Sequence, residues 1–450
     1  MKKIFTLWIA IVALALGMYA EPKDSANYSF NLQQAIDYAM NNNTRVQNAT
    51  FDQAMAQSKV HEVFGAWLPQ ISGSFDVKDF IEIPTQVIPA SAFAPTAPKD
   101  ALLALKFGVN YNATASVTAS QLLFSAGALL GVEATKAYLE LSEKSAKRTK
   151  IETAAAISKA YYTTLVNDER MKLLEANAAR LKKLMDDTKA LNESGFAEKV
   201  DFDRVTVTYN NLISEKEKVQ RLLGLSIVLL KYQMGMPQSA NLTLTDNIAA
   251  ITYQPETIGT EPSYANRIEY SLAETQKRGA FLQLKTEQRA FIPSAFLYAN
   301  VGTSALRLKF DIFDPTKSWY PFAIVGGTIN VPIFSGLQKA YRIQSAKVAY
   351  QKADNDLKYT QQSIELEQAN SRIQLQNAAQ SLETQKKNID LAEEVYRVTK
   401  LKYEQGVGSN LEVLTAETAL KESQTNYFNA LFDALVAKVD YQKSIGTLIK

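Results

Sequence analysis

Two long amphipathic helical stretches, separated by a turn of three residues, dominate the second half of the chain. The first stretch covers residues 335–405 and the second covers residues 409–446. A glycine stands at each end of the turn, 406–408, and glycine adopts the positive φ values that close a helix. Ser409 or Asn410 can cap the helix that follows. The sequence therefore predicts an antiparallel helical hairpin, and at about 1.5 Å per residue its arms are longer than an ordinary globular core requires.

The first half of the chain contains the same pattern. A helical stretch over residues 127–193 turns at 194–196 and returns over 198–234. Corresponding features of the two halves are 210 or 211 residues apart: Phe124 with Phe334, Gly195 with Gly406, and Gly235 with Gly446. The sequence therefore predicts an internal duplication, with a repeat far longer than that of a solenoid protein.

The N-terminus has the features of an export signal. Two lysines precede an apolar run at residues 4–16, interrupted only by Thr6, which is too short to span a bilayer as a helix. Small residues follow, so we expect a signal peptide at residues 1–20; the alternative is a retained N-terminal anchor. No later run has the length of a transmembrane helix, so a membrane-spanning form of this chain must use β-strands.

Residues 109–120 provide the clearest strand pattern. Over these twelve residues, apolar side chains alternate with small uncharged polar ones. The run slightly exceeds the length of about 9–11 residues that a strand needs to cross a bilayer. A soluble half-buried strand is usually shorter and carries charges on its wet face. The pattern therefore favours a membrane strand over a soluble one.

The two halves have the same order of predicted elements. The first has a helix over 31–66, a strand over 71–78, a loop over 80–107, the strand over 109–120 and then the hairpin. The second has a helix over 264–290, strands over 295–301 and 322–333 flanking a loop over 302–321, and then the hairpin. We therefore divide the mature chain into a first repeat, 21–237, a connecting equatorial segment, 238–263, and a second repeat, 264–450. We expect residues 21–30 to be loosely ordered.

Four strands are too few for a membrane barrel, which needs about eight. Unpaired strand edges are not tolerated in lipid, so other copies of the chain must complete the barrel. Two copies would give eight strands and a filled interior, whereas three would give twelve and leave room for passage.

The junctions between elements resemble those of a known family, the TolC-like outer-membrane efflux channels (outer membrane factors). The matching residues are the helix-to-strand junctions Leu68-Pro69-Gln70-Ile71 and Ile292-Pro293, the strand-to-helix junctions Phe124-Ser125 and Phe334-Ser335-Gly336, and the turn with Gly406 and Leu411-Glu412-Val413-Leu414. Each motif is weak alone, but their order and duplication cover nearly all of the mature chain.

The resemblance implies a mainly α fold with a small β part. Three chains would form a twelve-stranded β-barrel in the outer membrane, in contact with lipid, and a long periplasmic α-helical barrel would continue it. It also implies a homotrimer that works as a passive exit duct for a tripartite efflux pump or a type I secretion system. The implied partners are an inner-membrane transporter and a periplasmic adaptor protein.

The resemblance also assigns residues at the periplasmic mouth. Glu412 matches an acidic position that forms a ring, and Asp201 is its counterpart in the first repeat, although Glu198 and Asp203 compete for that role. A ring of carboxylates in a narrow lumen favours cations; the alternative for Glu412 is a solvated acid that favours the helix dipole. Tyr403 matches a tyrosine that latches the closed mouth.

This chain departs from the family pattern at two positions of the mouth. Gly408 stands where the family has an arginine partner for the latch, and Thr415 stands where it has a second acid. The tips of the two hairpins are the segments that meet the adaptor in the family. The tip residues here are Gly195, Phe196, Gly406, Val407, Gly408 and Ser409.

The composition argues against other functions. The formal net charge of +3 is no polyanion-binding signature, so we expect no nucleic-acid partner. One histidine and no cysteine exclude histidine triads and zinc–thiolate sites, and no phosphate-binding loop is present, so we expect neither an enzyme nor a cofactor or metal site.

Two alternatives remain open from the sequence. One is a periplasmic coiled-coil adaptor or structural protein without a pore. Such a protein has no use for a strand that alternates as residues 109–120 do, so this pattern argues against it. The other is a duct dedicated to one exported protein or to a metal ion. The lack of His-rich or Met-rich tracts argues mildly against a metal.

Overall fold

The structure of the protein is a computed structural model that describes residues 27–92, 98, 100–248 and 264–449. The predicted signal peptide lies outside these residues, as do part of the connecting segment, 249–263, and part of the loop predicted at 80–107. Contacts divide the chain into two compact units. Unit 1 comprises Met1–Asp52, Glu143–Ala273 and Leu357–Lys450, and unit 2 comprises Gln53–Ser142 and Glu274–Asp356.

The described residues form seven α-helices and eight β-strands. The helices are α1 (Leu32–Asn42), α2 (Thr44–Gly65), α3 (Ala126–Glu193), α4 (Lys199–Met234), α5 (Ile268–Arg289), α6 (Gln338–Glu404) and α7 (Asn410–Ser444). The strands are β1 (Asn27–Phe30), β2 (Gln70–Asp79), β3 (Thr85–Pro89), β4 (Leu102–Lys106), β5 (Tyr111–Phe124), β6 (Asn241–Leu244), β7 (Ser294–Arg307) and β8 (Tyr320–Asn330). Helices α3 and α6, with 68 and 67 residues, are the long arms predicted from the sequence. None of the described helices is both long enough and apolar enough to cross a bilayer.

Unit 2 contains a four-stranded antiparallel sheet in the order β2-β5-β7-β8. Strands β2 and β5 come from the first repeat, and β7 and β8 come from the second, so the β5–β7 pairing joins the two repeats. The outer strands β2 and β8 each have only one partner among the described residues.

Unit 1 contains the core of the helical part. Its main apolar cluster brings α3, α4 and α7 together through Ile157, Leu230 and Leu431. A second cluster joins α3 to α4 through Leu174, Leu181 and Leu212. These residues follow the narrow apolar seams of the helices, while the opposite faces carry lysine, glutamate and glutamine.

Equivalent glycines end the return helices of the two repeats. Gly235 follows α4 with φ +71°, and Gly446 follows α7 with φ +75°. A Cβ at Gly235 would lie 2.4 Å from the carbonyl oxygen of Asn42, and a Cβ at Gly446 would lie 2.3 Å from that of Asn266. Both glycines thus combine a positive φ with a close backbone approach to the early part of their repeat, at the end of α1 for Gly235 and in the turn before α5 for Gly446.

The structure differs from the sequence-based predictions in four places. The helix predicted over 31–66 is two helices, because Asn43 is extended and its side chain accepts hydrogen bonds from the N–H groups of Arg45 and Val46. The loop predicted over 80–107 contains the hairpin β3–β4. The loop predicted over 302–321 is shorter, because β7 continues to Arg307. The segment predicted to be loosely ordered ends in β1, which pairs in parallel with β6 of the connecting segment.

Candidate functional site

One face of the four-stranded sheet is apolar and exposed. Cross-strand pairing places its residues in continuous rows, of which Gly73, Val117, Val301 and Ala323 form one. The exposed large apolar side chains of this face include Ile71, Phe75, Val77, Val117, Leu297, Val301, Val325 and Ile329. Val301 is 59% exposed and Val325 is 76% exposed. An in-register apolar surface on four strands has the pattern of a sheet that faces lipid.

The opposite face is polar on β2 and β5. Ser74 and Ser116 are paired across the strands, with their hydroxyls 3.0 Å apart. Asn112, Thr114 and Thr118 continue the polar surface along β5. On β7 and β8 this face also carries aromatic rings, and a Cβ at Gly302 or Gly326 would clash with Phe322 or Tyr298, respectively. Leu306 and Ile324 are also exposed on this face, so the two faces differ most clearly on β2 and β5, where the second face has the polarity of a water-filled passage.

The loop between β7 and β8 covers one end of the apolar face. Ile312 and Trp319 pack on Ala113 and Ala305, which are fully buried. Arg307 anchors this loop, because its guanidinium donates a hydrogen bond to the carbonyl of Ser318 at 2.9 Å and lies 3.4 Å from the carboxylate of Asp311. The loop thus packs beside the sheet at the β5–β7 end.

The two hairpin turns have the same local structure. Gly195 and Gly406 have φ values of +79° and +75°. The residue after each glycine donates its N–H to a carbonyl of the preceding helix, Phe196 to Leu191 at 2.8 Å and Val407 to Lys402 at 3.0 Å. Phe196 is 84% exposed and Val407 is 77% exposed. Each turn therefore presents one large apolar side chain to its surroundings.

The predicted mouth residues occupy three different environments. Glu412 is exposed in the first turn of α7, where its N–H donates to the Ser409 hydroxyl at 3.2 Å, so Ser409 is the cap of that helix. Asp201 is half-buried in the first turn of α4 and lies 3.5 Å from Arg204. Tyr403 lines a cavity of about 310 Å³ between α3, α6 and α7, together with Arg180, Lys183, Tyr396, Lys400 and Val413. Among the described residues of the single chain, no hydrogen bond or ion pair joins Glu412, Asp201 and Tyr403 to one another.

A buried charged cluster that the sequence did not single out borders the same cavity. The Arg180 guanidinium of α3 lies 3.6 Å from the Glu417 carboxylate of α7, whose side chain is 4% exposed. The same guanidinium lies 5.6 Å from the ring centre of Tyr396 on α6. Burial raises the pKa of Glu417, and Arg180 opposes that shift. Burial, and then the charge of Glu417, raises the pKa of Tyr396 to about 12. The sequence contains one pattern that could have indicated this cluster. Polar residues recur every seven positions on the buried side of α7, at Asn410, Glu417 and Gln424.

Comparisons with known proteins agree with this geometry. Residues 265–447 match the protein family described as outer membrane efflux protein. The toluene efflux pump outer membrane protein TtgC of Pseudomonas putida is 24% identical over 340 residues, which are 75% of this chain and 69% of TtgC. The outer membrane protein TolC of Vibrio cholerae is 20% identical over 461 residues, which are 100% of this chain and 96% of TolC. These matches support the outer membrane factor family, the TolC-like outer-membrane efflux channels, as the family of this chain.

A solved structure supports the same fold. The outer membrane protein VceC of Vibrio cholerae superimposes with a TM-score of 0.70 at 18% identity, over 92% of this chain and 96% of VceC. The predicted fold class is confirmed, and its location is the outer membrane with a periplasmic helical extension. Outer membrane factors are trimers that work with efflux-pump partners, and they are channel proteins, not enzymes.

Proposed function

We propose that this outer membrane factor is a passive exit duct, through which a tripartite efflux pump or a type I secretion system releases its cargo. The observation that carries the proposal is the sheet with one exposed apolar face and one largely polar face. Its outer strands need partners from other copies in a bilayer, because unpaired backbone is not tolerated there. Three chains with four strands each supply twelve strands, which leave room for a water-filled passage.

Reconstitution in a planar lipid bilayer tests this function. The full chain, extracted from the outer membrane and added to one side, is expected to produce stepwise ion currents, because a hydrated passage conducts ions. Protein that enters the bilayer without conducting would contradict the duct. Protein that stays in the aqueous phase would favour the periplasmic adaptor alternative.

The exposed turns support a proposal for the partners. The periplasmic adaptor of the pump docks at Gly195, Phe196, Gly406, Val407, Gly408 and Ser409, and the inner-membrane transporter supplies the energy. Phe196 and Val407 offer the adaptor two apolar anchors, and the side chains of an interface core are mostly apolar. Replacing both by serine would abolish adaptor binding in pull-down experiments while trimers still form. Binding that persists would move the contact elsewhere.

Glu412, Asp201 and Tyr403 are proposed to line or latch the periplasmic mouth. In the trimer, three copies of Glu412 would form an acidic ring, with Asp201 as the weaker candidate because Arg204 neutralises it in part. Glu412→Gln is expected to lower the preference of single channels for K⁺ over Cl⁻. Glu422→Gln on the same helix serves as the charge-matched control. Equal selectivity in both variants would remove Glu412 from the lumen.

The cargo is proposed to be small molecules. TtgC, whose name assigns it to a toluene efflux pump, supports this choice over the export of a single protein. Deleting the gene for this chain should raise the sensitivity of the cells to apolar solvents. Unchanged solvent sensitivity combined with the loss of one secreted protein would favour type I secretion.

A further inference from the structure

The apolar face of the sheet ends in a polar row, at the end of the strands that is remote from the helices. Asp79 of β2 pairs with Tyr111 of β5, which pairs with Arg307 of β7. The next row on the same face is apolar and contains Ala113 and Ala305. Because charged side chains are strongly disfavoured in the middle of a bilayer, the polar row marks the level at which the hydrocarbon meets the headgroups.

The loop between β7 and β8, residues 308–319, folds over this boundary. It lies at the end of the strands opposite to α5 and α6, since α5 precedes β7 and α6 follows β8. The ring of Phe310 packs edge-on against the ring of Tyr111, with 5.5 Å between the ring centres. Ile312 and Trp319 pack on the apolar row behind it. The loop therefore turns toward the apolar side of the sheet and away from its polar side.

Three large apolar side chains of this loop are exposed. The exposed fractions are 72% for Leu308, 62% for Phe310 and 75% for Phe313, whereas Ile312 is only 1% exposed. The loop is thus packed on the sheet and still presents an apolar patch, and such a patch marks an interaction surface. Aromatic side chains concentrate at the two boundaries of a membrane barrel. The patch lies at the boundary that the polar row defines.

The position of the loop on the sheet argues for lipid as its partner. The loop packs on Ala113 of β5 and Ala305 of β7, which are the two central strands. A second copy of the chain that completes the barrel must pair with an outer strand, β2 or β8, because these have a free edge. The loop is therefore remote from the edges at which copies meet, and its outward side continues the apolar face of the sheet.

The charges of the loop fit a phosphate-bearing headgroup. Arg307 and Lys317 both form ion pairs with Asp311, and Asp314 accepts hydrogen bonds from Thr316 within the loop. Lys309 is exposed between two exposed apolar residues and forms no ion pair among the described residues. A lysine in this setting can lay its alkyl stem along apolar surface and extend its ammonium to the headgroups, where it attracts anionic lipids.

We propose that the loop 308–319 is an anchor in the outer leaflet of the outer membrane. Leu308, Phe310 and Phe313 enter the edge of the hydrocarbon, and Lys309 binds the phosphate of a lipid headgroup. The loop thereby holds the barrel at a fixed depth instead of capping its outer end. Lipid contact does not depend on conduction, so a protein that carries no current could still show this contact.

Spin labels at single positions test the lipid contact. The chain has no cysteine, so one introduced thiol carries the only nitroxide. The variants are Phe313→Cys in the loop, Val301→Cys on the apolar face and Thr118→Cys on the polar face. Each is reconstituted as the full chain into vesicles of phosphatidylcholine and phosphatidylglycerol. Relaxation by oxygen, which concentrates in hydrocarbon, is compared with relaxation by a water-soluble nickel complex.

The label at 313 is expected to favour oxygen over nickel, as the label at 301 does, whereas the label at 118 favours nickel. A label at 313 that favours nickel would overturn the anchor, because the loop would then be in water. A label at 313 that neither reagent reaches would also overturn it, because another copy of the chain would then cover the loop. If the label at 313 prevents assembly, Leu308→Cys replaces it with the same expected result.

The headgroup contact is tested with the same label at 313. Its mobility should be lower in vesicles that contain phosphatidylglycerol than in vesicles of phosphatidylcholine alone. Lys309→Gln should abolish this difference, whereas Lys78→Gln, which removes a lysine on the polar face of β2, should preserve it. Equal mobility in the two kinds of vesicle without either substitution would overturn the phosphate contact. Loss of the difference in both variants would overturn the role of Lys309.

Discussion

The four-stranded sheet and the helical hairpins arrange the same kinds of side chain in opposite ways. In the sheet, Val117, Val301 and Val325 are exposed on one continuous face. In the hairpins, Leu174, Leu212 and Leu375 are at most 2% exposed, and charged residues cover the outer faces. Apolar side chains leave water in both regions, but the hairpins bury theirs against each other whereas the sheet presents them to lipid. The helical part therefore folds with its apolar residues buried away from water, and the sheet folds with its apolar residues towards lipid.

The largest effect is expected from a charge on the apolar face of the sheet. Val301→Lys should destabilise the membrane-inserted form by about 2–4 kcal/mol per chain, because the ammonium would have to enter the hydrocarbon. The yield of assembled protein in the outer-membrane fraction measures this effect. Thr118→Lys, on the opposite face of the neighbouring strand, is the control and should assemble normally. Equal yields would mean that the apolar face does not contact lipid.

A comparable effect is expected from an unpaired charge inside the hairpins. Arg180→Met should destabilise the protein by about 3–5 kcal/mol, because it leaves Glu417 buried without a counter-charge. Thermal unfolding in detergent measures the change. Lys421→Met should cost about 0–1 kcal/mol, since the Glu215 side chain is 25% exposed, against 4% for Glu417, and keeps a second partner, Arg170, at 3.5 Å. Similar losses in the two variants would contradict the distinction between buried and exposed pairs.

A smaller effect, with opposite signs at two glycines of the first repeat, is expected from alanine substitutions. Gly235→Ala should destabilise the helical part by about 1–2 kcal/mol through its positive φ alone, with the close approach to Asn42 adding to that value. Gly224→Ala, in the interior of α4 with open space around it, should stabilise the protein by about 0.5–1 kcal/mol. Thermal midpoints of the two variants should move in opposite directions, and a shift in the same direction would rule out the backbone contact.

The smallest effect is a dependence of stability on pH. The pKa of Glu417 is raised in the folded protein, so the folded state binds the proton more tightly than the unfolded state. The stabilisation is therefore complete below the ordinary glutamate pKa of about 4.3 and is lost as the pH rises through the raised value. Glu417→Gln should remove this part of the pH profile of the thermal midpoint. Parallel profiles for the two proteins would contradict the raised pKa.

The sequence predicts those elements that local chemistry determines. Period-two alternation identifies β5, and the glycines 195 and 406 mark the turns at which the long helices end. It misses the pairing of β1 with β6, whose strands are separated by 214 residues along the chain, because no local pattern encodes such a contact. The sequence also fails to predict the hairpin β3–β4, because the prolines in this segment are typical of a loop. Asn43 interrupts a helical pattern only because its side chain caps α2 and donates to the carbonyl of Gln233.

At the mouth, too, the sequence predicts the features that depend on neighbouring residues and misses those that depend on distant contacts. The exposed tips and the Ser409 cap follow from the residues of the turns themselves. The charged cluster of Arg180, Tyr396 and Glu417 depends on α3 and α7 packing in one register. This packing places Arg180 beside Glu417, although the two residues lie 237 positions apart in the sequence. A polar residue repeated every seven positions on α7 is the only local sign of it.

The central claim is that this chain forms a channel by joining three four-stranded sheets in the outer membrane. The most direct test is the mass of the detergent-solubilised particle extracted from the outer-membrane fraction, measured by light scattering with correction for bound detergent. The account predicts a particle of three chains. A monomer or a dimer recovered from the soluble periplasmic fraction would contradict it.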